Sequence, residues 1–269
     1  MNAAGWCVSF LLLCLGGPGP AFAESPSAVA PPSRLTRLVP AEAVEGQAAR
    51  QFGQLKETAA RKGALVPRDD PRMRRLRAIA ERIVPQALTF NPRARQWQWE
   101  VVLIASNEIN AFCMPGGKIA FFTGILDRLK LDENEIAAVM GHEIAHALQE
   151  HARERIAKGQ LTQLGASLLG ELFGGGRYTD LFSVGGNLLT LRFSRDDESE
   201  ADIVGLELAA RAGYDPRAGI SLWRKMSAAN AGGPPQWLST HPSGKNRIAE
   251  MQKQLPRVMP IYRQAGGRG

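Results

Sequence analysis

The sequence predicts an α+β fold: mostly helical, with a small β-sheet set beside one central helix. Three observations predict it. Apolar residues recur at helical spacing in several capped segments. Between Trp97 and Phe122 short β-type runs alternate with turn residues. Asp132 to Ile156 reads as one capped helix carrying His142-Glu143-Ile144-Ala145-His146. The chain of 269 residues, 44% hydrophobic and 22% charged, is long enough to bury one core and too apolar for intrinsic disorder.

Met1 to Ala23 joins an apolar run (Val8 to Leu15) to Gly/Pro breakers and the small-residue ending Ala21-Phe22-Ala23. It reads as a signal peptide cleaved after Ala23, although no Lys or Arg precedes the apolar run. The expected location is the periplasm. The Gly/Pro run argues against an uncleaved anchor, and Leu13 before Cys14 against lipidation. No later window holds the roughly 18 apolar residues of a spanning helix. With Cys7 and Cys14 in the leader, Cys113 is the one cysteine left, so packing or a metal has to hold the fold, without a disulfide.

Residues 24–40 are small, polar and Pro-rich and are expected to be a disordered leader, with the catalytic domain running from 41 to 269. Ala41 to Lys62 and Pro71 to Leu88 have helical spacing, the second capped at Asp69-Asp70 with Pro71 in its first turn. Next come the short strands, WQWEVVLIA, AFCM and KIAFF, with turns at Ser106-Asn107 and Pro115-Gly116-Gly117. A short helix from Thr123 to Leu129 precedes the long one. Gly159 to Thr190 is Gly-rich, readable as a mobile cover or as an insertion. A second capped helix spans Asp196 to Arg211, and a last one Lys245 to Leu255.

The surplus of 33 Lys and Arg over 26 Asp and Glu gives a net charge of +7. Arg72, Arg74, Arg75 and Arg77 form its one local cluster, readable as a solvated helix face or as loose attraction to an anionic membrane surface. No interleaving of aromatic and basic residues recommends nucleic acid. The oligomeric state is not legible.

His142 and His146 lie one helical turn apart, so both rings can face one metal ion while Glu143 projects toward an open coordination position. A third ligand is required. On a continuous helix His151 lies about 180° from His142 and is excluded. A third His six residues after the second is also absent, because position 152 is alanine. The remaining source is the acidic helix, where Glu198 and Asp202 share a face with the small Ala201 and Gly205, and Glu200 points about 200° from Glu198. With Glu198 as ligand, Asp202 is placed to accept the free ring N–H of a ligating His.

These segments together resemble one known family. Asn110 to Ile119 (NAFCMPGGKI), Thr123 to Leu126 (TGIL), the H-E-x-x-H helix, Glu198 to Asp202 (ESEAD) and Thr240 to Ile248 (THPSGKNRI) are similar to the zinc endopeptidases that include HtpX-type and CAAX prenyl proteases. The resemblance covers roughly Ala41 to Leu255 and implies a zincin-like metallopeptidase fold. It implies one zinc ion held by His142, His146 and Glu198, with Glu143 as general base. His241 is the second catalytic candidate, donating to the oxyanion or approaching the zinc in a resting state. Asn110, Ala111, Phe112, Cys113 and Met114 resemble the edge strand that pairs with extended substrate. Arg247 is either structural or supports the zinc site.

Two departures from relatives bear on function: no membrane spans beyond the leader, and only about 20 residues after Ile248, leaving no room for a helical-repeat domain. The implied substrates are unfolded or misassembled envelope proteins. The rival reading is a chaperone-like binding module with suppressed catalysis, against which the intact Glu143 argues.

Overall fold

The computed structural model describes residues 32–172, 188–229, 236–242 and 246–267. Met1–Ala23 lies outside them. Its elements are α1 (Ala41–Arg61), α2 (Pro71–Ile83), β1 (Glu100–Ile104), β2 (Ala111–Met114), β3 (Lys118–Phe122), α3 (Thr123–Leu129), α4 (Glu133–Leu148), α5 (His151–Leu172), α6 (Arg195–Arg211), α7 (Ala218–Ala229), α8 (Gln236–Thr240) and α9 (Arg247–Gln264). The architecture is the expected one, mostly helical with one small sheet. None of the described helices is long and apolar enough to cross a membrane.

The three strands have the order β1-β3-β2, β1 parallel and β2 antiparallel to β3. Gly116 and Gly117 make the β2–β3 turn at φ of +81° and +77°, a region open to glycine at little cost. β2 is thereby an edge strand, and it packs against α4.

The core is built round α4. Every residue from Glu135 to Leu148 is buried, as befits a helix wrapped by neighbours on all sides. Ile136, Val139, Met140 and Ile144 meet Leu76 and Ile79 of α2, Phe121 of β3 and Val204 and Leu208 of α6 in one apolar cluster. The start of α4 is fixed by a reciprocal cap: Asp132 accepts from the Glu135 backbone N–H and Glu135 from that of Asp132.

Four expectations are corrected. The helix expected across Asp132–Ile156 is two helices, because Glu150 adopts φ +58° and reverses the chain between α4 and α5. α2 unwinds after Ile83 into a 3-10 turn over Val84–Thr89, since Pro85 lacks the N–H that would continue it. α9 runs past Leu255 through Pro256 and Pro260, because Val258 and Tyr262 bury against Ala210. Within the stretch expected as a disordered leader, Arg34–Leu38 forms a 3-10 helix with Thr36 and Val39 buried. Helices α7 and α8 have no counterpart in the sequence reading. Of the Gly-rich segment, residues 159–172 continue α5, and residues 173–187, with the expected mobile cover, lie outside the described residues.

Candidate metal centre and active site

α4 and α6 cross in backbone contact. A Cβ on Gly205 would fall 2.8 Å from the His142 amide nitrogen, and one on Gly141 would fall 2.8 Å from the Gly205 carbonyl oxygen. This approach brings the two ends of the site together. One donor atom each from His142, His146, Glu198 and His241 lies within 4.8 Å of the others, all four residues buried. Glu198 and Asp202 share the face expected of them.

The hydrogen-bond pattern around the rings tests whether a cation fits. His142 Nδ1 lies 3.1 Å from Asp202 Oδ1, so its proton sits on Nδ1. His146 Nδ1 lies 2.9 Å from His151 Nδ1. With both Nδ1 atoms engaged, the two Nε2 atoms face each other at 3.1 Å. Two lone pairs at that distance repel unless a cation lies between them. Glu198 approaches both, 3.6 Å from His142 Nε2 and 3.4 Å from His146 Nε2, and its Oε1 makes no hydrogen bond although fully buried. Two imidazoles and a carboxylate oxygen are a zinc donor set, and such orphaned buried atoms are what a bound ion satisfies.

His241 enters from the end of α8. Its Nδ1 faces the Trp237 carbonyl at 3.1 Å and Thr240 Oγ1 at 3.0 Å. Its Nε2 is buried without a hydrogen-bond partner. Its ring stacks on Trp237 at 4.8 Å, and Nε2 lies 3.5 Å from Glu143 Oε2. Trp237 Nε1–H donates to Glu143 Oε1 at 2.6 Å. Glu143 is thus held between an indole and an imidazole. Burial pushes its carboxyl upward, but the attraction of His241 and His142 and the Trp237 hydrogen bond outweigh it and keep the pKa below the usual value.

Arg247 reaches in from α9. It donates to Glu198 Oε2 at 2.5 Å and, through Nε, to Asp202 Oδ2 at 2.6 Å, with its guanidinium 3.7 Å above the Trp223 ring. The open question of its role resolves into a clamp on both carboxylates. Burial raises Asp202 too, yet Arg247 and His142 hold it below the ordinary range. Glu198 moves the other way: burial, with Asp202 adding, exceeds the pull of His241, His142 and Arg247, and its pKa is raised. Burial and surrounding positive charge drive His146 well below the usual imidazole value, leaving a neutral ring with a lone pair to share.

The sequence reading missed three contributors. His151 belongs beside His146 because the helix breaks, for which no local signal exists. Phe193 stacks on His146 at 3.9 Å. Trp237 precedes His241 by one helical turn, and that spacing was readable. β2 and the preceding Asn110 line a cleft with Glu143, Leu189, Phe193 and His241. Burial and the nearby Glu143 charge push the Cys113 thiol well up, so it packs as a small apolar residue.

Comparison with known proteins identifies the family. The profile of Peptidase family M48 matches residues 71–255. The mitochondrial metalloendopeptidase OMA1 of Arabidopsis thaliana is 40% identical over 64% of this chain and 35% of its own length. That of Saccharomyces cerevisiae is 35% identical over 63% of this chain and 50% of its own. The Beta-barrel assembly-enhancing protease of Escherichia coli is 31% identical over 61% of this chain and 36% of its own. This chain therefore spans only a third to a half of these relatives. The expected periplasmic location is corrected by the same comparison. Relatives from plant, yeast and animals are mitochondrial by name. The physical reason is that an apolar run with a small-residue ending specifies no compartment. With residues 71–255, from the start of α2 into α9, covered by that profile, this chain belongs to peptidase family M48, the zinc endopeptidases.

Proposed function

We propose that the chain hydrolyses peptide bonds of unfolded or misassembled proteins, with one zinc ion held by His142, His146 and Glu198. The observation that carries this reading is the pair of imidazole Nε2 atoms 3.1 Å apart beside an unpartnered carboxylate oxygen. Bound there, zinc supplies Lewis acidity toward a carbonyl and acidifies water. Glu143 accepts the proton of the attacking water and passes it to the leaving amine. Asp202 fixes the His142 tautomer, and Arg247 donates to Glu198 and Asp202, favouring the charged form of each against its burial. β2, the edge strand of the sheet among the described residues, offers that edge to an extended segment of substrate, which makes recognition backbone-directed and broad.

His241 is the resting-state gate in this reading. Its Nε2 lies among the donor atoms of His142, His146 and Glu198 and 3.5 Å from Glu143 Oε2, so the ring occupies the approach to the cluster and to the base. Activity then requires His241 to swing away, which also frees Glu143. The narrower assignment, quality control of cell-envelope proteins, rests on the likeness to the Escherichia coli protein named Beta-barrel assembly-enhancing protease.

The test compares wild type with Glu143→Gln on casein and on an unfolded outer-membrane protein, with zinc content measured for both and for Glu198→Ala. Cleavage by wild type alone, with zinc retained in Glu143→Gln and lost in Glu198→Ala, is expected. Equal cleavage by wild type and Glu143→Gln removes Glu143 as base. Protection from aggregation without cleavage by either favours the binding-module reading.

A further inference from the structure

Of the chain's four histidines, His151 alone has no part in the chemistry above, yet it is 1% exposed. Its position depends on an unusual backbone. Glu150 is one of two non-glycine residues in the described chain with positive φ. Its carboxylate is gripped by Arg153 Nη1 at 2.8 Å to each oxygen, and Arg153 Nε donates to the Val39 carbonyl at 2.6 Å. The reversal that these contacts hold turns His151 back onto His146. On a continuous helix it would face the other way.

There, Nδ1 of His151 lies 2.9 Å from Nδ1 of His146, and Nε2 lies 3.3 Å from Oε2 of Glu200. Glu200 projects from the far side of α6 relative to Glu198, so one helix serves both ends of the chain of contacts. Two facing Nδ1 atoms at 2.9 Å hold one proton between them. His146 turns its Nε2 toward His142 and Glu198, so its own proton must be on Nδ1. His151 Nδ1 is then the acceptor, its proton resides on Nε2, and that N–H donates to the Glu200 carboxylate.

We propose that His151 and Glu200 form a positioning pair that fixes the tautomer and ring orientation of His146, as Asp202 does for His142. This rests on the reading of His146 as a ligand through Nε2. The two ligating rings are thus backed differently. His142 leans on a buried carboxylate clamped by Arg247. His146 leans on a second imidazole whose chain ends at a carboxylate with 40% side-chain exposure.

The experiment has two arms on the full chain. In zinc-loaded wild type with 15N-labelled histidine, NMR is expected to find the proton of His146 on Nδ1 and that of His151 on Nε2. A proton on Nδ1 of His151 overturns the proposal without any variant being made. In the second arm, zinc affinity is measured by chelator competition. His151→Phe is expected to weaken binding by about 10- to 100-fold, the usual loss when a ligand's outer partner is removed. His151→Gln, whose amide can accept from His146 and donate to Glu200, is expected to recover most of it. Equal weakening by both, or none by His151→Phe, overturns the proposal. His146→Ala separates the two levels: loss of zinc there keeps the ligand reading whatever His151 does, and retention of zinc there defeats that reading itself.

Discussion

Gly205 of α6 lies so close to His142 of α4 that a methyl group on it would sit 2.8 Å from the His142 amide nitrogen and 2.9 Å from its Cα. Nothing flexible is available to yield, because both atoms are backbone inside buried helices. Gly205→Ala is therefore expected to destabilise by about 1–3 kcal/mol through overpacking and to lower zinc affinity by moving Glu198 away from the rings. Gly159→Ala, in α5 with open space around its Cβ, is the control and is expected to stabilise by roughly 0.5–1 kcal/mol. Urea unfolding of both variants checks this; equal midpoints would mean that the crossing is not tight.

Arg247 pairs with two buried carboxylates that no other arginine or lysine side chain within the described residues reaches. Arg247→Met should remove that compensation and cost about 3–5 kcal/mol in the zinc-free protein. Added zinc should restore part of it, since the ion offers Glu198 a counter-charge. Thermal unfolding with and without zinc reads both effects. A variant as stable as wild type without metal would show that the carboxylates are held by something else.

Glu135 ties the start of α4 to α7. It accepts from Ser221 Oγ at 2.8 Å and pairs with Lys225 at 2.5 Å. Burial raises its carboxyl, but Lys225, the Asp132 backbone N–H and Ser221 together bring it below the usual carboxylate value. A depressed carboxylate stabilises the fold above its unfolded value and loses that contribution as pH falls through the folded value. Lys225→Met is expected to lower stability by about 1–2 kcal/mol at pH 7, with Lys225 partly exposed. The gap to wild type should narrow as pH falls through the lowered pKa of Glu135. A gap independent of pH would assign the loss to side-chain packing.

His241→Ala discriminates gate from oxyanion donor. As a gate its removal opens a coordination position and frees Glu143, and peptidase activity on a short flexible peptide should rise by about tenfold, some 1.4 kcal/mol of barrier. As an oxyanion donor its removal should depress activity by about 10²–10³. Initial rates at matched zinc content decide between them.

Much of the site was legible because it obeys local periodicity. His142 and His146 one turn apart, Glu198 and Asp202 one turn apart, and the small Ala201 and Gly205 beside them required only the pitch of a helix. The strands and the Pro115-Gly116-Gly117 turn were equally local. The misreadings share a different cause. One left-handed residue, Glu150, moved His151 from the excluded far face to the back of His146, and its conformation is held by Arg153 and by a carbonyl more than a hundred residues away. The last helix, expected to end at Leu255, runs on through Pro256 and Pro260 because Val258 and Tyr262 are buried.

By itself the sequence determined the chemistry of the donors, because residue type and helical spacing are properties of a short stretch of chain. Which donors meet was decided by the tertiary structure. Arg247 against Glu198 and Asp202, His241 against Glu143, and His151 between His146 and Glu200 are all contacts between separate elements. No period in the sequence encodes such contacts, since they follow from how α4, α6, α8 and α9 share one core.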